Sequence, residues 1–408
     1  MIVKDFKLDF PMLNNSSYIF FDNSATSLKP QCVIDAISEY YFKCCANAER
    51  GDYDYSYRID KKIDEVRESV KQFINSKIKN EIVFTSGSTQ GLGMVIDGYI
   101  RKFIKKGDVI ITTKAEHASS ILPLMRLAEE KKAKIKFVDI GENGSFSLNQ
   151  YIDLIEHESV KFVVLAQISN VLGYEMPIKK ICEIAHAKNI KVVVDGAQSV
   201  PHMKVDVQDL NCDFLTFSAH KMCGPTGLGI LYGKKKLLEE MDPIFIGGGS
   251  NVNYFEDGTY FLKNAPHKFE VGTLPLAQIY GFKETLDYLN SIGMENIHKK
   301  EVYLKNHLIS KLKELENIQL YNPNTQSGIV IFNIKGIFGG DVAKFFNKNK
   351  IAVRTGQHCS RLLIDYFQTN CTIRVSLYFY NTIEEINKFV EICKQATKEN
   401  IYNVIFSE

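Results

Sequence analysis

From about Glu81 to Tyr232, short apolar runs alternate with longer segments whose apolar residues recur at helical spacing. The runs are Ile82–Thr85, Val109–Thr112, Lys134–Val138, Phe162–Leu165, Val192–Asp195, Phe214–Phe217 and Gly229–Tyr232. Most are continuous and β-branched, the pattern of strands covered on both faces. Between them, segments such as Leu122–Lys132 and Ile178–Lys188 carry their apolar residues on one helical face. The alternation predicts an α/β fold with a doubly wound, mostly parallel, seven-stranded sheet in a large domain. Such sheets take ligands beyond the carboxyl ends of their strands.

The pattern changes after Met241. Met241–Pro275 holds Gly247-Gly-Gly-Ser250 and three prolines, and predicts an irregular excursion. One long helical stretch, Leu276–Glu316, is expected next. From Gly328 the order is strand Ile329–Ile334, helix Gly340–Asn349, strand Ile351–Thr355, strand Cys371–Ser376 and helix Thr382–Thr397, a smaller α+β domain. The expected division is an arm over 1–20, a large domain over 21–290 and a small domain over 291–408.

Size and composition narrow the function classes. A chain of 408 residues with 45% hydrophobic content supports a large core in two domains. A net charge of +2 argues against nucleic acid as the main partner, since phosphate backbones need a concentrated basic surface. No apolar run spans a bilayer and no signal peptide opens the chain, so the expectation is a cytoplasmic protein without membrane contact. Nine cysteines without a C-x-x-C pair fit reduced thiols rather than a disulfide framework or a metal site.

Candidate chemistry lies at the strand ends. Phe214-Leu-Thr-Phe-Ser218-Ala-His220-Lys221 runs an apolar strand into a lysine, with a glycine-rich loop after it. Alone, such a lysine reads as a solvated side chain. A second strand ends in Asp195-Gly-Ala-Gln198. Together they offer an amine for a Schiff base, a carboxylate for a pyridine nitrogen and donors for a phosphate, the set that pyridoxal 5'-phosphate needs.

With these residues in place the chain resembles the class V branch of fold-type I pyridoxal-phosphate enzymes, and within it the cysteine desulfurases of the SufS/CsdA type. The likeness runs from about Phe20 to Thr397. Thr85-Ser-Gly-Ser88-Thr89-Gln90 opens a helix, where backbone N–H groups and the helix dipole favour an anion. By itself it also reads as an ordinary capped turn; the resemblance assigns phosphate contacts to Ser88 and Thr89. It further implies that Asp195 pairs with the ring nitrogen, Gln198 with the ring oxygen, and Ser218 and His220 with the phosphate. Lys221 would carry the cofactor, and His117 would stack on its ring and handle protons. Asn170, in Ile168-Ser-Asn170-Val-Leu-Gly173, would hold the ring oxygen or the substrate carboxylate. Thr273, in Phe269-Glu-Val-Gly-Thr273, would reach the phosphate of the other subunit of a homodimer.

Arg354-Thr-Gly-Gln-His-Cys359 matches the desulfurase signature R-T-G-x-H-C. An isolated cysteine is otherwise an inert packing residue, but Arg354 and His358 are nearby, and cationic neighbours favour the nucleophilic thiolate. Arg374 follows fifteen residues later, a fork suited to a substrate carboxylate, with Arg354 as the second candidate. The short spacing is similar to the SufS/CsdA group, which implies a separate sulfur acceptor of the SufE/SufU type. The implied reaction turns L-cysteine into L-alanine and leaves a persulfide on Cys359. Selenocysteine lyase or another C–S lyase, and a non-catalytic scaffold, are the other readings. The chain departs from the family pattern at Glu49, Gln90, Ala118, Gln167 and Ser360-Arg361, and keeps Arg50 of the amino-terminal Arg-Gly pair.

Overall fold

A computed structural model describes residues 5–49, 51–141 and 144–406, so Arg50 lies outside the described residues. All seven expected strands form: β1 (Ile82–Thr85), β2 (Val109–Thr113), β3 (Lys134–Val138), β4 (Val160–Ala166), β5 (Lys191–Asp195), β6 (Phe214–Ser218) and β7 (Gly229–Gly233). They make one sheet in the order β1-β7-β6-β5-β4-β2-β3. Only β7 runs antiparallel to its neighbours.

Period-two packing explains why the runs are apolar throughout. Ile82, Phe84, Val163, Leu165, Val192, Val194, Leu215 and Phe217 enter one core. Their alternates Val83, Phe162, Val164, Val193 and Phe214 enter a second core on the other face. Both faces are covered, so most interior positions of the central strands are apolar, and a polar one such as Thr216 is paired, to Ser88 Oγ at 2.8 Å. β7 can lie beside the β1 end only because residue 229 is glycine: a Cβ there would sit 2.4 Å from Gly87 Cα.

Beyond the sheet, three expectations need correction. Met241–Pro275 is not wholly irregular, because Asn251–Tyr254 and Tyr260–Leu262 pair as an antiparallel hairpin. The long helix is two helices, Leu276–Ile292 and Met294–Lys313. Gly293 separates them at φ +86°, a conformation outside the helical region that glycine adopts without a Cβ penalty. The expected strand Ile351–Thr355 is broken at Val353 into Ile351–Ala352 and Arg354–Gly356, which join different sheets.

The second sheet is antiparallel, in the order Ile318–Leu320, Ile329–Ile334, Thr372–Ser376, Arg354–Gly356. Its own core includes Val330, Phe332, Phe346, Val375 and Phe389. The stretch Ile19–Lys29 straps this sheet to the first. Ile19–Phe20 pairs parallel with Ile351–Ala352. Asn23 Nδ2 donates to Ser376 O at 2.7 Å, Ser24 N–H to Ser376 Oγ at 2.9 Å, and Leu28 N–H to Tyr380 Oη at 3.0 Å. At its far end the strap sends Ser27 N–H (3.0 Å), Thr26 Oγ1 (3.0 Å) and Lys29 Nζ (3.0 Å) to one acceptor, the carbonyl of His220. That carbonyl belongs to the peptide bond leading into Lys221.

Candidate active site

Every expected site residue except Thr273 lines one cavity of about 430 Å3 beyond the carboxyl ends of the strands. Asp195 borders it at the end of β5 and Lys221 from the short 3-10 turn Ala219–Lys221 after β6, and Lys221 Nζ makes no hydrogen bond among the described residues. Burial lowers the Lys221 amine below the usual lysine value, and Asp195 partly opposes the shift. Asp195 Oδ1 accepts from Ser88 Oγ at 3.0 Å and from Ala197 N–H at 2.9 Å. Among the described residues Oδ2 has no hydrogen-bond partner.

The phosphate candidates divide. Ser88 Oγ is engaged by Asp195 and by Thr216 Oγ1 at 2.8 Å, so its hydroxyl faces the carboxylate. Ser88 N–H meanwhile donates to Ser218 Oγ at 2.8 Å. Thr89 is exposed, and its hydroxyl contacts Ser119 Oγ at 2.7 Å. Burial, with Lys221 and Lys29 nearby, pushes the His220 imidazole down to about 4, so the ring is neutral. Gln90, in place of an acidic residue, still accepts: Ser86 N–H reaches its Oε1 at 2.6 Å. Thr273 lies on a separate cavity with Glu49, Arg67 and Gly249.

His117 caps the helix Ala118–Lys131, its Nδ1 accepting from Ser119 N–H at 3.1 Å. Burial and the Lys221 charge lower its pKa. The preceding Glu116 is buried and bridges two strand ends. It takes Thr113 Oγ1 at 2.7 Å and Ala166 N–H at 2.6 Å. Burial raises its carboxyl to about 8.

The cysteine loop is fastened to the first sheet. His358 and Cys359 adopt left-handed backbone conformations, φ +51° and +57°, unfavourable for side chains with a Cβ. Hydrogen bonds hold them there. Asn170 Nδ2 donates to His358 O at 2.8 Å, and Ala118 N–H to Cys359 O at 2.7 Å. Ser360 Oγ donates to Asn170 Oδ1 at 3.1 Å. Asn170 thereby spends both side-chain ends on the loop. The Cys359 side chain is exposed and lines the cavity. The expectation of a cationic His358 is corrected: burial, with Arg374 close by, takes its imidazole down to about 3. Its Nε2 faces Thr372 O at 3.2 Å and Thr372 Oγ1 at 2.9 Å.

Arg354 and Arg374 are directly opposite in adjacent antiparallel strands. Two like charges so placed repel. Asp22, from the strap, offsets this by accepting from Arg354 NH2 at 2.7 Å and Arg374 NH2 at 3.4 Å. Arg374 is 3% exposed and donates NH1 to Asn170 O at 2.9 Å. Among the described residues its Nε is buried without a hydrogen-bond partner. Burial lowers the guanidinium to about 10, where it still holds its charge at neutral pH.

The family model described as Aminotransferase class-V matches residues 19–389. A probable cysteine desulfurase of Synechocystis sp. is 40% identical over 391 residues, 94% of this chain and 93% of its own. The cysteine desulfurase of Wigglesworthia glossinidia brevipalpis is 36% identical over 403 residues, 97% of this chain and 98% of its own. The solved cysteine desulfurase of Thermococcus onnurineus NA1 matches with a TM-score of 0.93 at 35% identity, covering 98% of this chain and 99% of its own. Escherichia coli CsdA matches at 0.89 and 29%, covering 97% and 99%. The chain belongs to the class-V aminotransferase family, among its cysteine desulfurases.

That family depends on pyridoxal 5'-phosphate, and the cavity residues fit it. An unpartnered lysine amine and a carboxylate with one free oxygen face the same space. Gln198 donates to Ser24 O at 2.8 Å while its Oε1 stays buried without a partner. Sequence reasoning missed Asp22, Glu116, Ser119 and Thr216. Glu116-His117 drew attention only to the histidine, and Asp22 is remote in sequence from both arginines it serves.

Proposed function

We propose that this enzyme takes L-cysteine into the cavity and moves its sulfur onto Cys359, leaving L-alanine. The observation that supports this most directly is the placement of the exposed Cys359 and of Lys221 on the same cavity, one from each sheet. Pyridoxal 5'-phosphate, when bound, would withdraw electrons from the substrate and weaken its bonds at Cα. Lys221 would hold it covalently, Asp195 Oδ2 would take the ring nitrogen, and Gln198 the ring oxygen. Thr89, Ser218 and His220 would face the phosphate, with Ser88 N–H orienting the Ser218 hydroxyl from behind.

Arg374 binds the substrate carboxylate, with the half-buried Asp22 and the carbonyl of Asn170 fixing the fork. Lys221 Nζ, once the substrate amine has displaced it from the cofactor, would be a free amine kept deprotonated with help from burial and would take up the Cα proton. The thiolate of Cys359 attacks the substrate sulfur. An S–S bond forms, the C–S bond breaks, and its electron pair stays with carbon, which is then protonated. Cysteine plus enzyme thiol gives alanine plus enzyme persulfide, so no outside oxidant or reductant enters. A dimer in which Thr273 serves the second copy, and a protein acceptor of the SufE/SufU type in the cytoplasm, complete the reading. Gly293 is the natural joint between the large and small domains.

Mass spectrometry after cysteine treatment tests it. Wild type should carry added sulfur on Cys359, and Cys359→Ser should bind the cofactor yet carry none. Sulfur on Cys212, Cys223 or Cys371 with Cys359 unmodified would defeat the proposal.

A further inference from the structure

Ser119 touches His117 twice. Its N–H donates to Nδ1 at 3.1 Å, and its Oγ lies 2.9 Å from the same nitrogen. The backbone donor decides the tautomer. An N–H cannot face another N–H, so Nδ1 is an acceptor and the ring proton of neutral His117 sits on Nε2. The 2.9 Å contact is then favourable only if Ser119 donates its hydroxyl proton to Nδ1. The neighbouring contact, Thr89 Oγ1 to Ser119 Oγ at 2.7 Å, must run the same way, with Thr89 donating. In this arrangement the Thr89 proton points to Ser119.

We infer that Ser119 is a positioning residue that links the phosphate subsite to the ring of His117 through a reversible hydroxyl chain, Thr89 to Ser119 to His117. A phosphate at Thr89 draws that hydroxyl proton to itself. Thr89 Oγ1 then offers only lone pairs to Ser119, whose hydroxyl turns from His117 to Thr89. His117 Nδ1 keeps the backbone donor and loses the side-chain one. The tautomer is preserved, and Nδ1 becomes freer and more basic. Anion occupancy beside Thr89 thus sets the hydrogen bonding of the proton-handling ring one serine hydroxyl away, with no backbone movement. The inference rests on the reading of Thr89 as a phosphate contact.

Nitrogen-15 NMR of histidine side chains in the full-length protein tests it, with His117 assigned by the signal lost in His117→Gln. The protein is compared with cofactor bound, with cofactor removed, and with cofactor removed and inorganic phosphate added. Without phosphate, wild-type Nδ1 should be an acceptor shifted by two donors. Inorganic phosphate should move it toward the value in Ser119→Ala. Phosphate should leave Nδ1 of Ser119→Ala unmoved, and Ser119→Thr should restore the wild-type response. Identical Nδ1 shifts in wild type and Ser119→Ala would overturn the relay. Equal movement with phosphate in both would overturn it too. If phosphorus-31 NMR shows no phosphate bound in wild type, or equal binding in Thr89→Val, the phosphate reading fails first and takes the relay with it.

Discussion

Replacing Arg374 by alanine is the sharpest test of substrate binding. Two effects are expected, and the structure separates them. The first is structural: Asn170 O loses its 2.9 Å donor, and Asp22 is left with Arg354. A buried acceptor without a partner costs about 1–3 kcal/mol, read as a lower melting temperature. The second is loss of a charged hydrogen-bonding fork to the substrate carboxylate, worth about 1.5–3 kcal/mol. Since about 1.4 kcal/mol is a factor of ten, the half-saturating L-cysteine concentration should rise about ten- to a hundredfold. The assay is alanine formation against cysteine concentration below the melting range, with cofactor absorbance confirming that the site stays loaded. Arg374→Lys keeps the charge without the fork and should fall between. Arg354→Ala is the control, because Arg354 is 48% exposed and bound to Asp22. A normal half-saturating value in Arg374→Ala with a raised one in Arg354→Ala would refute the assignment.

Lys221→Ala should hold no covalent cofactor and turn over no cysteine; borohydride trapping on another lysine would count against it. Asp195→Ala should weaken cofactor binding and alter its absorbance, and it should also free Ser88 Oγ, which now donates to Asp195. Glu116→Gln should flatten the pH dependence of stability. A carboxyl raised in the fold contributes fully below its ordinary 4.5, and the contribution is lost as pH rises through about 8. Melting temperatures across that range should fall in wild type and hold in the variant.

Much of this was legible in the sequence, for identifiable reasons. The central strands of β1 to β7 are covered on both faces, so their apolar runs end where the packing ends, and the polar residues beyond the carboxyl ends of β5 and β6 line the cavity. Lys221, Asp195 and Cys359 were readable on that logic and on motif. The break at Gly293 was not, because helical periodicity resumes on both sides of it. His358 misled because proximity in sequence to Arg354 suggested a second cation, whereas its burial beside Arg374 makes a charged ring too costly. Asp22 was invisible because its role exists only once 332 residues of separation have been closed.

The strap over Ile19–Lys29 has a consequence for how the protein is made. Its partners Ile351, Ser376 and Tyr380 are synthesised more than 300 residues later. Until then the strap lacks its parallel strand, and Asp22 has neither arginine. The sheet that carries Lys221 is complete in sequence by Gly233. During translation all strands of the large sheet are thus present while the lysine loop waits for its latch to be anchored at the other end. A nascent chain halted before Ile351 would carry every cofactor-facing side chain of that sheet and still lack an anchored strap. The latch over the lysine loop is therefore the last part of the site to be anchored, since its partners lie near the end of the small sheet.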